Sequence, residues 1–358
     1  METYAEGPAF LEEERLSCSY IEGGLTFQNH GITACCAVHE GHNWPILYPY
    51  NGDLNRLPVD ELLEKRYELQ LQVAEGENPI CKHCHSLIKR KWGKTEYPFR
   101  LISVQNDLRC NICCEYCNFL VKWSDYQKNY QTYKMYPLIK QMIDEKLLAP
   151  DAQFFWAGGE PSILDEFSQC LEAVFEYSDK IRLQIATNAT ALSQELKNIC
   201  YKYGKQINVL CSLDSGTRET YQAVKGKDYF DVVVKNLSEY TQLVNQVFLK
   251  MILTATNIKD VDAFLDVARR LQLKQVFYDI DCTQNMDEVP DEIIEAMAYL
   301  GLKALTYGIV AVPASVWQFH EKIDHRVQYY KNKIIGMGAQ RPAPSAQRPA
   351  PSAQRPAP

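Results

Sequence analysis

Between about residues 99 and 283, short runs of apolar, β-branched and aromatic residues alternate with longer stretches whose apolar positions recur at helical spacing. The short runs are Phe99–Val104, Gln153–Trp156, Ile181–Ile185, Ile207–Leu213, Val247–Leu253 and Gln275–Ile280. Four to seven residues is strand length, whereas a helix needs ten or more. The stretches between predict helices over about Tyr133–Leu148, Ile163–Glu176, Ser193–Tyr203 and Asp260–Leu271, with one or two more ending by Asn245. Six strands alternating with helices predict an α/β fold with a parallel sheet, because each parallel crossover consumes about a helix of chain. Right-handed crossovers leave two architectures, an open doubly wound sheet and a partial barrel, and periodicity does not choose between them. In both, polar residues just past the strands mark the functional face.

The flanks differ. Residues 1–98 hold five of the thirteen cysteines and five of the seven histidines, with few long periodic segments. Residues 284–335 read as a helical C-terminal segment. Residues 336–358 are a tail dominated by a seven-residue repeat from Ala339, and two prolines in each repeat predict an extended, disordered segment. With 38 basic against 45 acidic residues the 358-residue chain carries a net charge of −7, which argues against nucleic-acid binding driven by charge alone. The first twenty residues have no basic region followed by an apolar one, and no stretch is apolar enough to span a bilayer, so a cytoplasmic protein is expected. Many cysteines in a reducing compartment point to metal binding or catalysis before disulfides.

The densest chemistry is Cys110-Asn-Ile-Cys113-Cys114-Glu-Tyr-Cys117, directly after the first strand. Taken as two abutting C-x2-C pairs it makes a poor tetrahedral site, since zinc knuckles are normally a dozen or more residues apart. Taken as C-x3-C-x2-C, Cys110, Cys114 and Cys117 suit a [4Fe–4S] cube with three irons ligated and the fourth open. With Tyr116 before the last cysteine, Gly158-Gly159-Glu160-Pro161 after the second strand, Thr187-Asn188 ending the third and Ser212-Leu213-Asp214 ending the fourth, the sequence resembles the radical S-adenosylmethionine (radical SAM) superfamily. Tyr221-Gln-Ala-Val-Lys225-Gly226 further resembles a stretch of its peptide-maturing branch.

The resemblance implies a partial (βα)6 TIM-like barrel over 99–283, with a [4Fe–4S] cluster and SAM as cofactors. It also implies reductive cleavage of SAM to a 5′-deoxyadenosyl radical that abstracts hydrogen from a substrate, with a peptide or protein favoured over a small metabolite. A reducing partner such as a flavodoxin or ferredoxin is implied too. On the same grounds Tyr116, Gly158, Gly159, Glu160, Asn188, Ser212, Asp214 and Lys250 are expected around SAM. Gly158 and Gly159 would let backbone approach the ligand, and Glu160 would meet its ammonium. A plain strand-to-helix turn with an N-terminal acidic residue is the structural alternative for Gly158-Gly159-Glu160, helix capping that for Asn188, Ser212 and Asp214, and a surface role that for Lys250.

Cys18, one of Cys35 or Cys36 (Cys36 preferred), Cys81 and Cys84 complete a second set of four thiolates, suited to an auxiliary [4Fe–4S] cluster or zinc. Cys81-Lys-His-Cys84-His85 also spells a haem-attachment motif, but that chemistry requires export. Lys89-Arg90-Lys91-Trp92 with Lys94 is a basic patch, read first as a solvated face. Cys113 is expected to stand between ligands unused. Cys170, Cys200 and Cys211 are expected to be buried, with Cys282 near the mouth of the site. A non-catalytic zinc- or cluster-bearing module, touching RNA through the basic patch, is the alternative function.

Overall fold

The computed structural model describes residues 13–35, 44–50, 52–82, 84–93, 95–117, 132–281, 285–314 and 321–339. Its first part contains β1 (Glu14–Ser17), α1 (Ser19–Gly23), β2 (Gly24–Gln28), β3 (Gly31–Thr33), β4 (Ile46–Pro49), α2 (Val59–Ala74) and β5 (Ile88–Lys91). Then follow β6 (Phe99–Gln105), α3 (Met135–Asp144), β7 (Leu148–Trp156), α4 (Phe167–Tyr177), β8 (Arg182–Thr187), α5 (Gln194–Tyr203) and β9 (Ile207–Ser212). Next come α6 (Arg218–Lys225), α7 (Phe230–Leu243), β10 (Gln246–Leu253), α8 (Val261–Arg270) and β11 (Gln275–Ile280). The chain ends in α9 (Asp291–Thr306), β12 (Val310–Pro313) and α10 (Glu321–Ala339).

Among the described residues ten strands form one sheet in the order β12-β11-β10-β9-β8-β7-β6-β2-β3-β4, and β1 pairs with β5 in a separate two-stranded sheet. From β2 to β12 all neighbours are parallel; β3 and β4 run antiparallel at one edge. Because β6 to β12 lie side by side in sequence order, the order of winding never reverses. Right-handed crossovers then put every helix on the same face, and a sheet covered on one side curls. This decides between the two architectures: it is an open, singly wound partial barrel.

Burial alternates along the strands. In β10, Val247, Leu249, Met251 and Leu253 are buried, while Phe248, Lys250 and Ile252 are half-exposed on the other face. Each buried aliphatic side chain contributes about 1.5–3 kcal/mol, so four on one strand fix its register strongly. Register then lines up Ser212, Lys250 and Phe277 in one row across β9, β10 and β11 on the half-exposed face.

Three elements depart from the sequence expectation. The N-terminal part contains a 16-residue helix, α2, whose buried stripe Leu62, Arg66, Leu69 and Val73 is interrupted by a charge. Arg66 is accommodated there because its guanidinium donates to the Pro98 and Gly24 carbonyls at 2.6 and 2.5 Å. β12 lies inside the segment read as helical, set off from α9 by Gly308 at φ 68°. Pro313, which has no N–H, falls at the end of this edge strand. Finally, α10 runs to Ala339, into the start of the expected tail; residues 340–358 lie outside the described ones. Among the described residues no helix is long and apolar enough to cross a membrane.

Candidate active site

The cysteine loop leaves the C-terminal end of β6 and is held from four directions. Beyond β7, the N–H groups of Gly159 and Glu160 donate to the Asp107 and Arg109 carbonyls at 3.0 and 2.7 Å, continuing the β6–β7 ladder up to Cys110. A Cβ on Gly158 would lie 2.8 Å from the Asp107 oxygen, and one on Gly159 would lie 2.0 Å from that of Arg109. The two glycines thus allow a close approach, but to the loop that leads into the cysteines. Gly158 also adopts φ 105°, a conformation that disfavours any side chain.

From the second direction, the C-terminal end of α6 meets the loop: the N–H of Cys113 donates to Lys225 O (3.0 Å) and that of Glu115 to Val224 O (2.9 Å). These are helix-end carbonyls that lack intrahelical partners. Gly226 closes α6 in the left-handed region at φ 71°, and a Cβ there would stand 3.0 Å from the Cys113 oxygen. Third, Thr254 and Thr256, just beyond β10, donate to the Glu115 carboxylate at 2.5 and 2.9 Å. Fourth, Asn188 at the end of β8 donates from Nδ2 to Asn111 Oδ1 (2.9 Å) and to Cys110 Sγ (3.6 Å). Thr190 N–H and Oγ1 in turn fix the Asn188 oxygen.

Below the loop lies a buried charge pair. Lys225 and Asp214, with side chains 1% and 0% exposed, are joined by a salt bridge. Asp214 Oδ2 also accepts from the Tyr116 hydroxyl and Oδ1 from the Ile252 N–H, while Lys225 Nζ donates to Tyr116 at 2.8 Å. Burial opposes the Lys225 charge, but Asp214 and Cys114 outweigh it and hold the ammonium above its usual range. Burial, reinforced by Asp214, lifts the Tyr116 hydroxyl well above its ordinary value. Asp214 sits at φ 62°, stabilised by Asn257, which donates to its carbonyl at 2.9 Å. The Asp214 carboxylate is thus satisfied by Tyr116, Lys225 and the Ile252 N–H.

Glu160 is likewise fully buried. Its Oε1 accepts from the Ser162 N–H, Ser162 Oγ and Thr187 Oγ1 at 3.0, 2.6 and 2.7 Å, and Oε2 from the Asn188 N–H at 2.6 Å. Burial raises its pKa and these donors pull it back. It caps the turn at Pro161–Ile163 and fixes Asn188, so its visible role is to position. Ser212 and Lys250 are half-buried register partners on the open face.

What remains of the loop is its thiols. Cys114 and Cys117 are half-buried and Cys110 is exposed. Burial of its sulfur lifts the Cys110 thiol to about 11, with further pushes from Glu160, Cys114 and Cys117. Burial also raises Cys114, against the pull of Lys225. Cys113 is exposed on the side of the loop facing Gly226. Among the described residues no three His, Cys, Asp or Glu side chains converge as ligands of a single ion. A cube makes a different demand, since its three thiolates bind three separate irons. The donor set fits that demand: three thiols that influence one another's charge, on a loop whose backbone and carboxylate are anchored elsewhere. Tyr221, buried beneath, leaves its hydroxyl without a hydrogen-bond partner and feels Cys211 and Cys114.

Lys225, Glu115, Asn111, Thr254 and Asn257 were not expected at the site. Lys225-Gly226 was visible as a motif, but a basic residue at a helix end has a simpler use with the helix dipole. Cys170, Cys200 and Cys211 are buried as expected. Cys36, His83, Lys94 and Cys282 lie outside the described residues.

Residues 108–268 match the family model described as the radical SAM superfamily. A GTP 3′,8-cyclase from Aliarcobacter butzleri is 26% identical over 208 residues, covering 55% of this chain and 62% of that protein. A GTP 3′,8-cyclase from Sulfurimonas denitrificans is 28% identical over 157 residues, covering 43% and 46%. The chain thus spans about half the length of the curated relatives it matches. Among solved structures, Streptococcus suis SuiB bound to its precursor peptide SuiA aligns with TM-score 0.49 and 14% identity, covering 77% of this chain and 59% of that one. Native anSMEcpe with bound AdoMet aligns with TM-score 0.48 and 15% identity, covering 60% and 63%.

Proposed function

We propose that the chain, whose residues 108–268 match the radical SAM superfamily, is a radical SAM enzyme that binds a [4Fe–4S] cluster at Cys110, Cys114 and Cys117 and cleaves SAM there. Bound together, that cluster and SAM supply one-electron reduction of the sulfonium and a 5′-deoxyadenosyl radical that takes hydrogen from a substrate. The single observation that carries this is the anchoring of the loop from four elements through its backbone and the Glu115 and Asn111 side chains, which holds the Cys110, Cys114 and Cys117 thiols together on one fixed turn.

The protein's residues divide the remaining work. Asn188 donates to the Cys110 sulfur. Tyr116, Asp214 and Lys225 hold the loop over α6, and Glu160 holds Thr187 and Asn188. Ser212 and Lys250, on the half-exposed face, are offered to the hydroxyls and carboxylate of SAM. Electrons come from a small reducing protein of the flavodoxin or ferredoxin kind. Tyr221–Gly226, the stretch that suggested peptide modification, is accounted for by its hold on the loop, so peptide and small-metabolite substrates stand level. The non-catalytic module gives way to the enzyme.

The test is direct. Anaerobically reconstituted protein given dithionite and SAM should release 5′-deoxyadenosine, and Cys114→Ala should release none. Intact clusters without that product would overturn the proposal.

A further inference from the structure

The support beneath the cysteine loop is built from charge. Lys225 and Asp214, with side chains 1% and 0% exposed, are joined by a salt bridge. As a brace alone this is a costly choice, because well-packed apolar side chains of similar volume stabilise a buried position as well or better. What apolar side chains cannot supply is an electrostatic field. Both charges are also fixed in place. Asp214 Oδ1 accepts from the Ile252 N–H at 2.5 Å, and Asn257 donates to the Asp214 carbonyl at 2.9 Å. Lys225 Nζ donates to the Tyr116 hydroxyl at 2.8 Å and stands 5.2 Å from the centre of the Tyr116 ring.

Tyr116 brings that field to the thiols. Its hydroxyl donates to Asp214 Oδ2 and lies within hydrogen-bond reach of the Cys114 sulfur, so one phenol oxygen separates the pair from Cys114. Burial raises the Cys114 thiol; Lys225 then draws it down and Asp214 pushes it up. The surroundings are dry. Cys211 and Tyr221, which both feel Asp214, are 0% and 1% exposed, and the Tyr221 hydroxyl has no hydrogen-bond partner. In such a setting a charge acts several times more strongly than at the surface.

We propose that the buried Lys225–Asp214 pair sets how readily the loop cluster accepts its electron, Lys225 favouring reduction and Asp214 opposing it. The role rests on the cluster proposed at Cys110, Cys114 and Cys117. Reduction adds one negative charge there, supplied by the reducing partner, and no bond forms or breaks in the pair. Net charge and hydrogen bonding around a cluster's sulfurs are what set its potential. The two charges oppose each other, so each holds the other's effect in check. Burial opposes the Lys225 charge, but Asp214 and Cys114 both favour it, and an iron-held Cys114 thiolate keeps the ammonium charged when Asp214 is made neutral. Tyr116, Lys225 and Asp214 act through Cys114 and are positioning residues.

The test is the midpoint potential of the loop cluster in the full, anaerobically loaded chain, read by redox titration. Asp214→Asn leaves an unbalanced positive charge and should favour reduction by about tenfold or more, or ~59 mV upward for one electron. Lys225→Met leaves an unbalanced negative charge and should lower the midpoint by a similar amount, read on the chains that keep a cluster. The double variant removes both charges and should return to within about twofold of the wild type, or ~20 mV. Arg218→Ala takes a charge from the exposed side of the same helix, where solvent screens it, and should leave the midpoint in place. Mere loosening of the loop would move both single variants the same way, so opposed signs separate charge from support. Should Lys225→Met fail to load, the rise in Asp214→Asn against an unmoved Arg218→Ala decides. A loaded loop whose midpoint does not rise in Asp214→Asn, or shifts alike in both single variants, would overturn this inference alone. A wild-type loop that takes up no iron would overturn it together with the cluster proposal.

Discussion

Replacing Lys225 by Met leaves the Asp214 carboxylate at 0% exposure without its cation, with only the Tyr116 hydroxyl and Ile252 N–H to satisfy it. Removing one partner of such a pair costs about 3–5 kcal/mol. Against a total stability of about 5–15 kcal/mol, this is roughly a fifth or more of what holds a typical domain folded. It corresponds to roughly two to four orders of magnitude in the folding equilibrium. Asp214→Asn added to Lys225→Met removes the uncompensated charge while keeping groups that bond Tyr116 and Ile252, so most of the loss should return. Arg218→Ala, on the same helix, breaks exposed pairs with Asp228 and Asp231 that solvent screens, and should change stability little. Urea unfolding of the metal-free, reduced chain, followed by the fluorescence of the buried Trp156, compares all three. Iron bound after anaerobic reconstitution should fall in parallel for Lys225→Met, because the loop loses its support. If Lys225→Met destabilises no more than Arg218→Ala, the buried pair does not anchor the loop.

Other outcomes follow from the same geometry. Gly159→Ala forces a Cβ to within 2.0 Å of the Arg109 oxygen and should cost about 1–3 kcal/mol or more and most of the bound iron, whereas Gly93→Ala, with nothing within 4 Å, should be silent by thermal melting and iron analysis. Asn188→Ala removes a donor to the Cys110 sulfur, so the bound cluster should become harder to reduce by about 1 kcal/mol, or roughly 40 mV for one electron, read by redox titration. Burial pushes the Cys200 thiol up to about 12 from its ordinary 9.0. A raised folded-state value adds stability that is complete below the unfolded value and lost as pH climbs to the folded one. The metal-free chain should therefore lose about 1.4 kcal/mol per pH unit between roughly pH 9 and 12 through this thiol, and Cys200→Ala should remove that share of the slope in urea midpoints.

Much of the scaffold was legible in the sequence because local pattern and global fold agree there. Each of the six expected strands, from Phe99 to Ile280, appears within a few residues, since β-branched runs bounded by helical periodicity have no competing solution. α2 was obscured by Arg66, which sits in the middle of its buried stripe and is tolerated only through carbonyls supplied by distant segments. β12 was obscured by its four-residue length beside an Ala- and Leu-rich helix. At the site the cysteine spacing pointed to the loop, but not to what fastens it. Tyr116, Asp214, Lys225 and Ile252 span well over a hundred residues of chain, and their meeting is set by strand order. Side-chain type also said nothing of burial: Glu160 and Asp214 are carboxylates at strand ends, and the fold buries both among protein donors.

The central claim is that the three loop thiolates leave one iron open for SAM. It is tested most directly by electron paramagnetic resonance of the reduced, anaerobically loaded chain with and without SAM. A shift in the signal on adding SAM, lost together with the loop cluster in Cys114→Ala, is the predicted result. A fully loaded loop cluster whose signal stays the same when SAM is present would contradict the account.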